Sequence, residues 1–212
     1  MNEIHTIKCG NVNCYLITNG KNAILVDTGK KEFYNQIVNT CKQFNIKLII
    51  LTHAHVDHAE NALALSNLWK VPIAINKKDQ ELIEDYSLQK LYANTILGKI
   101  VLLISLNLLN KRKIPKIKPT IFLSEGDSLT SYGINAKIIE LPGHTNGSIG
   151  IDVESKYLIV GDALMNMFYP TTSMIYHDKN KTIESAKKIS KLNERIIYFG
   201  HGKPVKNRKW TN

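Results

Sequence analysis

The sequence of 212 residues contains only three cysteines, at positions 9, 14 and 41. An odd, low count argues against a disulfide framework, and a zinc site with four sulfur ligands would need one more thiol. We therefore predict that Cys9, Cys14 and Cys41 are strand and core residues. Because no basic segment followed by an apolar run opens the sequence, we expect no signal peptide and a cytoplasmic location.

Long apolar runs are also scarce. The run ILGKIVLLISLNLL covers about 14 residues and contains Lys99 and Asn107, whereas a membrane-spanning helix needs about 20 apolar residues. We expect a helical insert at about 77–118 that packs on the domain, or on a second copy of it in a homodimer. Attachment to a membrane surface is an alternative, favoured by the basic run 111–118, which is otherwise typical of a solvated linker.

Acidic residues are outnumbered by basic ones, 18 to 28, which gives a net charge of +10. This surplus permits binding to nucleic acid, anionic membranes or acidic metabolites and says nothing about the fold. Nucleic acid is a less favoured partner than a small molecule, because many proteins this basic bind no polyanion. A hydrophobic content of 43% and a charged content of 22% are typical of a globular protein, and we expect one domain over 1–212.

Short β-rich segments alternate with helical segments along the chain. Strands are predicted over 12–18, 22–27, 47–52, 71–75, 136–141, 148–153, 156–161 and 195–200, and helices over 30–45, 61–69 and 181–193. The Asn-Gly turn between the first two strands predicts a hairpin. Strand-helix alternation with hairpins indicates a layered α/β domain with mixed sheets.

Polar residues follow several of these apolar strands directly. The segment THAHVDH carries His53, His55, Asp57 and His58, and later strand ends carry a His, an Asp and a His. These later residues are His144, Asp162 and His201, and Asp27 in VDTG follows an earlier strand. Because ligands bind beyond the carboxyl ends of strands in α/β sheets, we expect one convergent polar site.

Metal binding is the chemistry that suits these side chains. His53 and His55, at positions i and i+2, point to one side, and Asp57 and His58 follow closely enough to reach a second metal. Imidazole and carboxylate groups bind zinc, iron or manganese. An accidental H-x-H-x-D-H motif is expected in at most about one chain in a thousand, so a histidine-rich loop with structural hydrogen bonds is the weaker alternative. His5 and His177 are predicted to be ordinary histidines.

The H-x-H-x-D-H motif and the strand-end residues after it resemble the metal signature of the metallo-β-lactamase superfamily. The resemblance implies a four-layer αβ/βα sandwich of two mixed sheets flanked by helices. It also implies two divalent cations at one edge of the sandwich, with zinc favoured and iron or manganese as alternatives. It implies that one metal is bound by His53, His55 and His144, the other by Asp57, His58 and His201, and that Asp162 bridges them. Asp27 would orient a ligand histidine, the alternative being a turn-capping aspartate.

The same resemblance implies a hydrolase with a ligand pattern similar to glyoxalase II and the lactonases. A metal-bridging hydroxide would attack an ester, thioester or lactone of a small metabolite, and residual positive charge at the metals would favour anionic groups. Asp57 would accept or relay the proton, and Tyr169 would donate a hydrogen bond to substrate unless it is a packed surface aromatic. Two alternatives stay open: a phosphodiesterase or nuclease of the same superfamily, and a non-catalytic metal-binding sensor.

Overall fold

The computed structural model describes residues 1–111 and 114–211. Over these residues the strands are β1 (Glu3–Cys9), β2 (Val12–Asn19), β3 (Asn22–Val26), β4 (Asn45–Ile50), β5 (Ile73–Ile75), β6 (Ile121–Phe122), β7 (Ala136–Glu140), β8 (Ile149–Val153), β9 (Tyr157–Ile159), β10 (Leu164–Met165), β11 (Thr171–Thr172), β12 (Ile196–Tyr198) and β13 (Val205–Lys206). Strands β1 to β6 form one mixed sheet in chain order. A second mixed sheet has the order β13-β12-β9-β8-β7, and β10 pairs with β11.

Helices connect and cover these strands. The α-helices are α1 (Tyr34–Cys41), α2 (Val56–Ala59), α3 (Ala62–Trp69), α4 (Gln80–Glu84), α5 (Ile96–Lys111) and α6 (Lys179–Ser190). Short 3-10 turns occupy Lys31–Phe33, Lys77–Asp79, Tyr86–Leu88 and Thr130–Tyr132. Asp178 is the N-cap residue of α6, and its carboxylate accepts a hydrogen bond from the Lys181 backbone N–H.

Alternate residues of the first sheet point into two different cores, because side chains alternate sides along a strand. On one side, Leu25 and Ile49 pack with Ile37 of α1 and Leu65 of α3. This face buries the apolar stripes of both helices. The first layer of the fold is therefore helical, and the second is the β1–β6 sheet.

The opposite face of the first sheet packs on the second sheet. Ile24 and Ile50 share a core with Ile138 and Ile151 of β7 and β8. The far face of the second sheet packs on Ile189 of α6 in a core of its own. The order helix, sheet, sheet, helix confirms the predicted four-layer αβ/βα sandwich.

The predicted elements match the structure best where strands are long or helices amphipathic. Asn19 pairs with Asn22 across the predicted hairpin, with Gly20 at a positive φ of 61°. The predicted helix over 30–45 is wrong at both ends: it is α-helical only over Tyr34–Cys41, and Asn45 already bonds to Lys21 in the sheet. Strands β6, β10, β11 and β13 span two residues each, too few to show an alternating pattern, and the longer strand β1 was not predicted either.

The segment 77–118 contains α4 and α5, and residues 112–113 of its basic run lie outside the described residues. Among the described helices, α5 included, none combines the length and apolar character that a membrane crossing requires. Ile114 and Ile117 are buried against the first sheet. The run 111–118, expected to be typical of a solvated linker, thus includes two isoleucines that are buried. A single domain over 1–212 with an insert at 77–118 remains a prediction.

Candidate metal centre

The polar strand-end residues meet at one edge because the strands that precede them run the same way. In the first sheet, β3 is parallel to β4. In the second sheet, β9 is parallel to β12, and β7 shares their direction through the antiparallel β8. The edges of the two sheets are joined by a hydrogen bond from the Ile149 N–H to the Thr52 carbonyl at 2.9 Å. The carboxyl ends of both strand sets therefore face one space.

Seven of the predicted residues converge in this space, and we call them the His/Asp cluster: His53, His55, Asp57, His58, His144, Asp162 and His201. One group of possible ligand atoms, all within 4.8 Å of one another, comes from His53, His55 and His144. Another comes from Asp57, His58 and His201. Two ligands of one tetrahedral zinc lie about 3.3 Å apart. A third group, from His53, His58 and Asp162, spans these two, and the donor set fits metal binding in this space.

Asp162 lies between the two groups. Its Oδ2 is 3.7 Å from His144 Nε2 and 3.3 Å from His201 Nε2, and its Oδ1 is 3.6 Å from His58 Nε2. One carboxylate therefore faces histidines of both groups.

The loops that carry Asp162 and His201 closely approach Thr52 and His58, and this approach depends on two glycines. A Cβ at Gly200 would overlap Asp162 Oδ1 and crowd His58, and a Cβ at Gly161 would lie 2.6 Å from Thr52 Oγ1. Gly161 also has a positive φ of 52°. The Gly before Asp162 and the Gly before His201 are thus needed for the two sheets to meet at this edge.

Backbone carbonyls orient two of the cluster rings. His144 Nδ1 donates to the Ile175 carbonyl at 2.9 Å, and His201 Nδ1 donates to the Asn11 carbonyl at 2.7 Å. A carbonyl oxygen can only accept, so each ring carries its proton on Nδ1. The lone pair on Nε2 then points into the cluster.

Asp27 and Thr52 orient two more rings. Asp27 Oδ2 lies 2.9 Å from both His58 Nδ1 and the Thr52 hydroxyl, and Asp27 Oδ1 accepts from the Thr52 N–H at 2.8 Å. Because the Thr52 hydroxyl proton is given to Asp27, the hydroxyl oxygen is left to accept from His53 Nδ1, 3.0 Å away. Histidines that bind metals are held in this way by acceptors on their second nitrogen.

The cluster contains buried polar atoms that no other protein atom satisfies. Among the described residues, His53 Nε2, His58 Nε2 and Asp162 Oδ1 have no hydrogen-bond partner. Burying three such atoms without compensation would cost several kcal/mol. All three point into the space between the two groups, so the donor set fits divalent cations there.

The pKa shifts of the cluster histidines differ between the two groups of possible ligands. Burial lowers the pKa of His53 and His144, and lowers that of His55 to about 3. Burial also disfavours a charged His58, but Asp162, Asp27 and Asp57 outweigh it and raise the pKa of His58 to about 10. Without metal, the carboxylate side of the cluster therefore holds protons that a bound cation must displace, which makes metal affinity fall at low pH.

Asp79 is a buried residue that sequence reasoning missed. Its carboxylate accepts hydrogen bonds from the Ala54 N–H at 3.2 Å, the Thr145 hydroxyl at 2.7 Å and the Gly147 N–H at 2.6 Å. It thus ties the loop of His53 and His55 to the loop of His144. Burial raises the pKa of Asp79 to about 6, although these hydrogen bonds oppose the rise. Within the charged segment KKDQE, nothing marks this aspartate as buried.

A cavity of about 220 Å³ opens above the cluster, with His55, Asp57, His144, Asp162 and His201 at its base. Its walls include Met165, Met167 and Phe168 from the segment after Asp162, and residues of α5. Tyr169 is not one of the described residues that line it, and the tyrosine is 55% exposed. The structure thus brings Asp57 to the cavity and leaves Tyr169 outside it.

Comparison with known proteins agrees with this geometry. The family model described as the metallo-beta-lactamase superfamily matches residues 7–201. A hydroxyacylglutathione hydrolase from Haemophilus influenzae is 30% identical over 94% of this chain and 90% of its own. A probable metallo-hydrolase from Methanocaldococcus jannaschii is 31% identical over 90% and 87%. The crystal structure of the B3 metallo-beta-lactamase BLEG-1 aligns with a TM-score of 0.76 and 26% identity over 96% and 94%. This chain therefore belongs to the metallo-beta-lactamase superfamily.

Proposed function

We propose that this metallo-hydrolase family member cleaves an ester, thioester or lactone of a small metabolite with the help of two divalent cations. Zinc is the favoured metal, and iron or manganese are the alternatives. One observation carries the proposal: seven ligand-type side chains converge on a space toward which buried, unpartnered His and Asp atoms point. A similar protein named as a hydroxyacylglutathione hydrolase supports an acyl substrate.

The proposed ligand assignment follows the two groups of atoms. His53, His55 and His144 would hold one cation, Asp57, His58 and His201 would hold the other, and Asp162, which faces histidines of both groups, would be shared between them. Asp27 keeps the His58 ring in place through the 2.9 Å hydrogen bond to Nδ1. We expect Asp27 to tune metal affinity and to stay out of contact with substrate.

When bound, the metals supply a water molecule that ionises near neutral pH and stabilise negative charge on the acyl oxygen. Asp57 is the proposed proton acceptor, since its carboxylate lines the cavity. Burial raises the pKa of Asp57, but His58 and His201 outweigh it, so the pKa is lowered and the carboxylate stays ionised. The proton that Asp57 accepts is then available to the departing thiolate or alkoxide.

A phosphodiesterase or nuclease fits the cavity less well. Among the described residues that line it, none is a lysine or an arginine, although the chain has 28 of them. Phosphate backbones are bound largely through such cations. The observation favours an acyl substrate over a nucleic acid.

The test is a panel of thioesters, lactones and phosphodiesters assayed on protein whose metal content has been quantified. We expect two metal equivalents per chain and turnover of at least one acyl substrate, abolished by a chelator and restored by metal. The matched control is His5→Ala, because His5 lies on β1 and contacts Thr18 rather than the cluster. A stable metal pair with no turnover across the panel would contradict the hydrolase and favour the sensor.

Three further predictions remain open. These are a cytoplasmic location, a homodimer formed through the segment 77–118, and an anionic group on the substrate. Gel filtration with light scattering tests the dimer, and the substrate panel, run with charged and uncharged analogues, tests the anionic group.

A further inference from the structure

The cavity above the His/Asp cluster has one polar side and one apolar side. Its base is the cluster itself, and its opposite wall comes from α5, which contributes Ile100, Val101, Ile104 and Ser105. A substrate whose acyl carbon lies at the cluster can therefore place its acyl chain against this helix.

Helix α5 is held over the cluster by a small apolar core. Val101 is 6% exposed and packs with Met165, Met174 and Ile175. Ile175 also supplies the backbone carbonyl that accepts the hydrogen bond from His144 Nδ1 and so orients that ring. The position of α5 is thus coupled to the cluster.

Ile100 and Ile104 lie one helical turn apart on the cavity side of α5. They are 52% and 57% exposed, although both are large and apolar. Covering such side chains with an apolar ligand removes their surface from water, which is favourable in proportion to the area covered. The two isoleucines therefore offer a binding surface for an apolar group.

In the described part of the cavity lining, the lack of charged side chains outside the cluster also favours an apolar group. Apart from cluster residues, the only polar side chains among the described residues of the lining are those of Asn11 and Ser105. The described residues of α5 that line the cavity offer a carboxylate or phosphate no cation to pair with, so moving such a group out of water against them is unfavourable. An uncharged hydrocarbon chain carries no such cost.

The size of the cavity limits the length of that chain. An apolar cavity of about 150 Å³ takes up a molecule with six carbons, benzene, so a volume of about 220 Å³ corresponds to roughly eight or nine carbons. We propose, on the basis of the proposed hydrolase function, that the substrate carries an uncharged acyl chain of about eight carbons. The acyl chain lies against Ile100 and Ile104, which determine the specificity.

The reaction balances without a further reactant. A new bond forms between the water oxygen and the acyl carbon, and the bond from that carbon to sulfur or oxygen breaks. The leaving thiolate or alkoxide takes one proton, and the products are a fatty acid and a thiol or alcohol.

The first experiment compares acetyl, octanoyl and suberoyl thioesters of N-acetylcysteamine on the metal-loaded protein. Octanoyl and suberoyl chains have the same length, and suberoyl adds a terminal carboxylate. Each buried methylene strengthens binding by up to about fourfold, so we expect kcat/KM for octanoyl to exceed that for acetyl at least about tenfold. We expect suberoyl to fall at least about tenfold below octanoyl. Equal values for octanoyl and suberoyl would overturn the inference.

The second experiment places a cation on the helix. In Ile104→Lys the new ammonium group faces the cavity, and we expect the suberoyl-to-octanoyl ratio of kcat/KM to rise at least about tenfold. The matched control is Leu103→Lys, which adds the same charge at the neighbouring residue, 72% exposed and outside the lining. A control that shifts the ratio as much as Ile104→Lys would show a general charge effect and overturn the inference.

A binding measurement separates this inference from the proposed function. Octanamide binding is followed by ligand-observed NMR on metal-loaded and chelator-treated protein. We expect binding in both forms, weakened at least about tenfold by Ile104→Lys and unchanged by Leu103→Lys. If no ester, thioester or lactone is hydrolysed, the proposed function fails and octanamide binding alone decides the inference. If acetyl thioester is hydrolysed but octanamide does not bind, the inference fails and the function stands.

Discussion

The His/Asp cluster and α5 face each other across one cavity, but they are built in opposite ways. Five histidines of the cluster are at most 7% exposed, and hydrogen bonds to Asp27, Thr52 and backbone carbonyls fix most of their rings. Helix α5 instead leaves Ile96, Ile100, Leu103 and Ile104 more than half exposed. We therefore assign the two sides different roles: the buried cluster holds the reacting groups, and the exposed helix determines the preference among substrates.

This separation has a physical basis. Ligand atoms must be held within a few tenths of an ångström, which requires a close-packed, hydrogen-bonded surrounding. An apolar wall needs only shape and the absence of charge. Changes in the cluster should therefore lower turnover of every substrate, whereas changes on α5 should alter the preference among substrates.

The largest effect is expected for His58→Ala. The substitution removes a proposed metal ligand and leaves the buried Asp27 carboxylate without its ring partner. We expect kcat/KM to fall on the order of 10³-fold or more for short and long acyl thioesters alike. Turnover is measured per metal-loaded chain, with His5→Ala as the control. Near-wild-type turnover of His58→Ala in excess metal would contradict the proposed site.

A smaller effect is expected for Asp27→Asn, which keeps the size of the side chain. Only one of its two terminal atoms can accept a hydrogen bond, whereas Asp27 accepts from Thr52 and His58 with both oxygens. We expect metal affinity to fall about 10- to 100-fold, measured by competition with a chromophoric chelator. The control is Asp85→Asn, an exposed aspartate outside the cluster. Unchanged affinity would assign Asp27 to turn capping alone.

Asp79 provides a prediction about pH. Its pKa in the folded protein is about 6 against a reference of 3.8, so the protonated carboxyl is favoured by folding. The associated stability is present below about pH 4 and is lost as the pH rises through 6. With metal removed at every pH, the free energy of unfolding of wild type relative to Asp79→Asn should fall by up to about 3 kcal/mol between pH 4 and 7. A difference that does not change with pH in denaturant titrations would show that Asp79 is solvated.

The smallest effect is expected for Tyr169→Phe. Because the tyrosine is exposed and lies outside the cavity lining, loss of its hydroxyl should change kcat by less than about threefold. Steady-state kinetics with an acyl thioester measure the change. A loss of about 10²-fold is typical of a removed oxyanion donor and would support the catalytic role that the sequence predicts for Tyr169.

Much of the fold followed from sequence patterns. The Asn-Gly hairpin, the buried strands β4 and β8 and the amphipathic helix α6 all lie close to their predicted positions. Local signals set these elements, because strand alternation and helical periodicity are written within a few residues. Helix α1 was predicted too long, since the requirement to enter the sheet at Asn45 comes from Lys21, far from the helix in sequence.

The sequence also predicted which polar side chains converge, but only part of their surroundings. Thr52 directly precedes His53 and was quoted in the motif, yet its role depends on Asp27, 25 residues away. The carbonyls of Asn11 and Ile175 carry no side-chain signal at all. Such contacts follow from the packing of distant segments, which composition and spacing do not encode.

By itself, the sequence determined the family, the layered α/β fold and the set of ligand-type residues, because each of these is local to a strand and the loop that follows it. Only the tertiary structure decided which nitrogen of four of the five histidines faces the cluster, that Asp79 joins two of its loops, and that the described residues of α5 that line the cavity are uncharged. These features depend on contacts between residues far apart in the chain, and such contacts form only when the two sheets pack together.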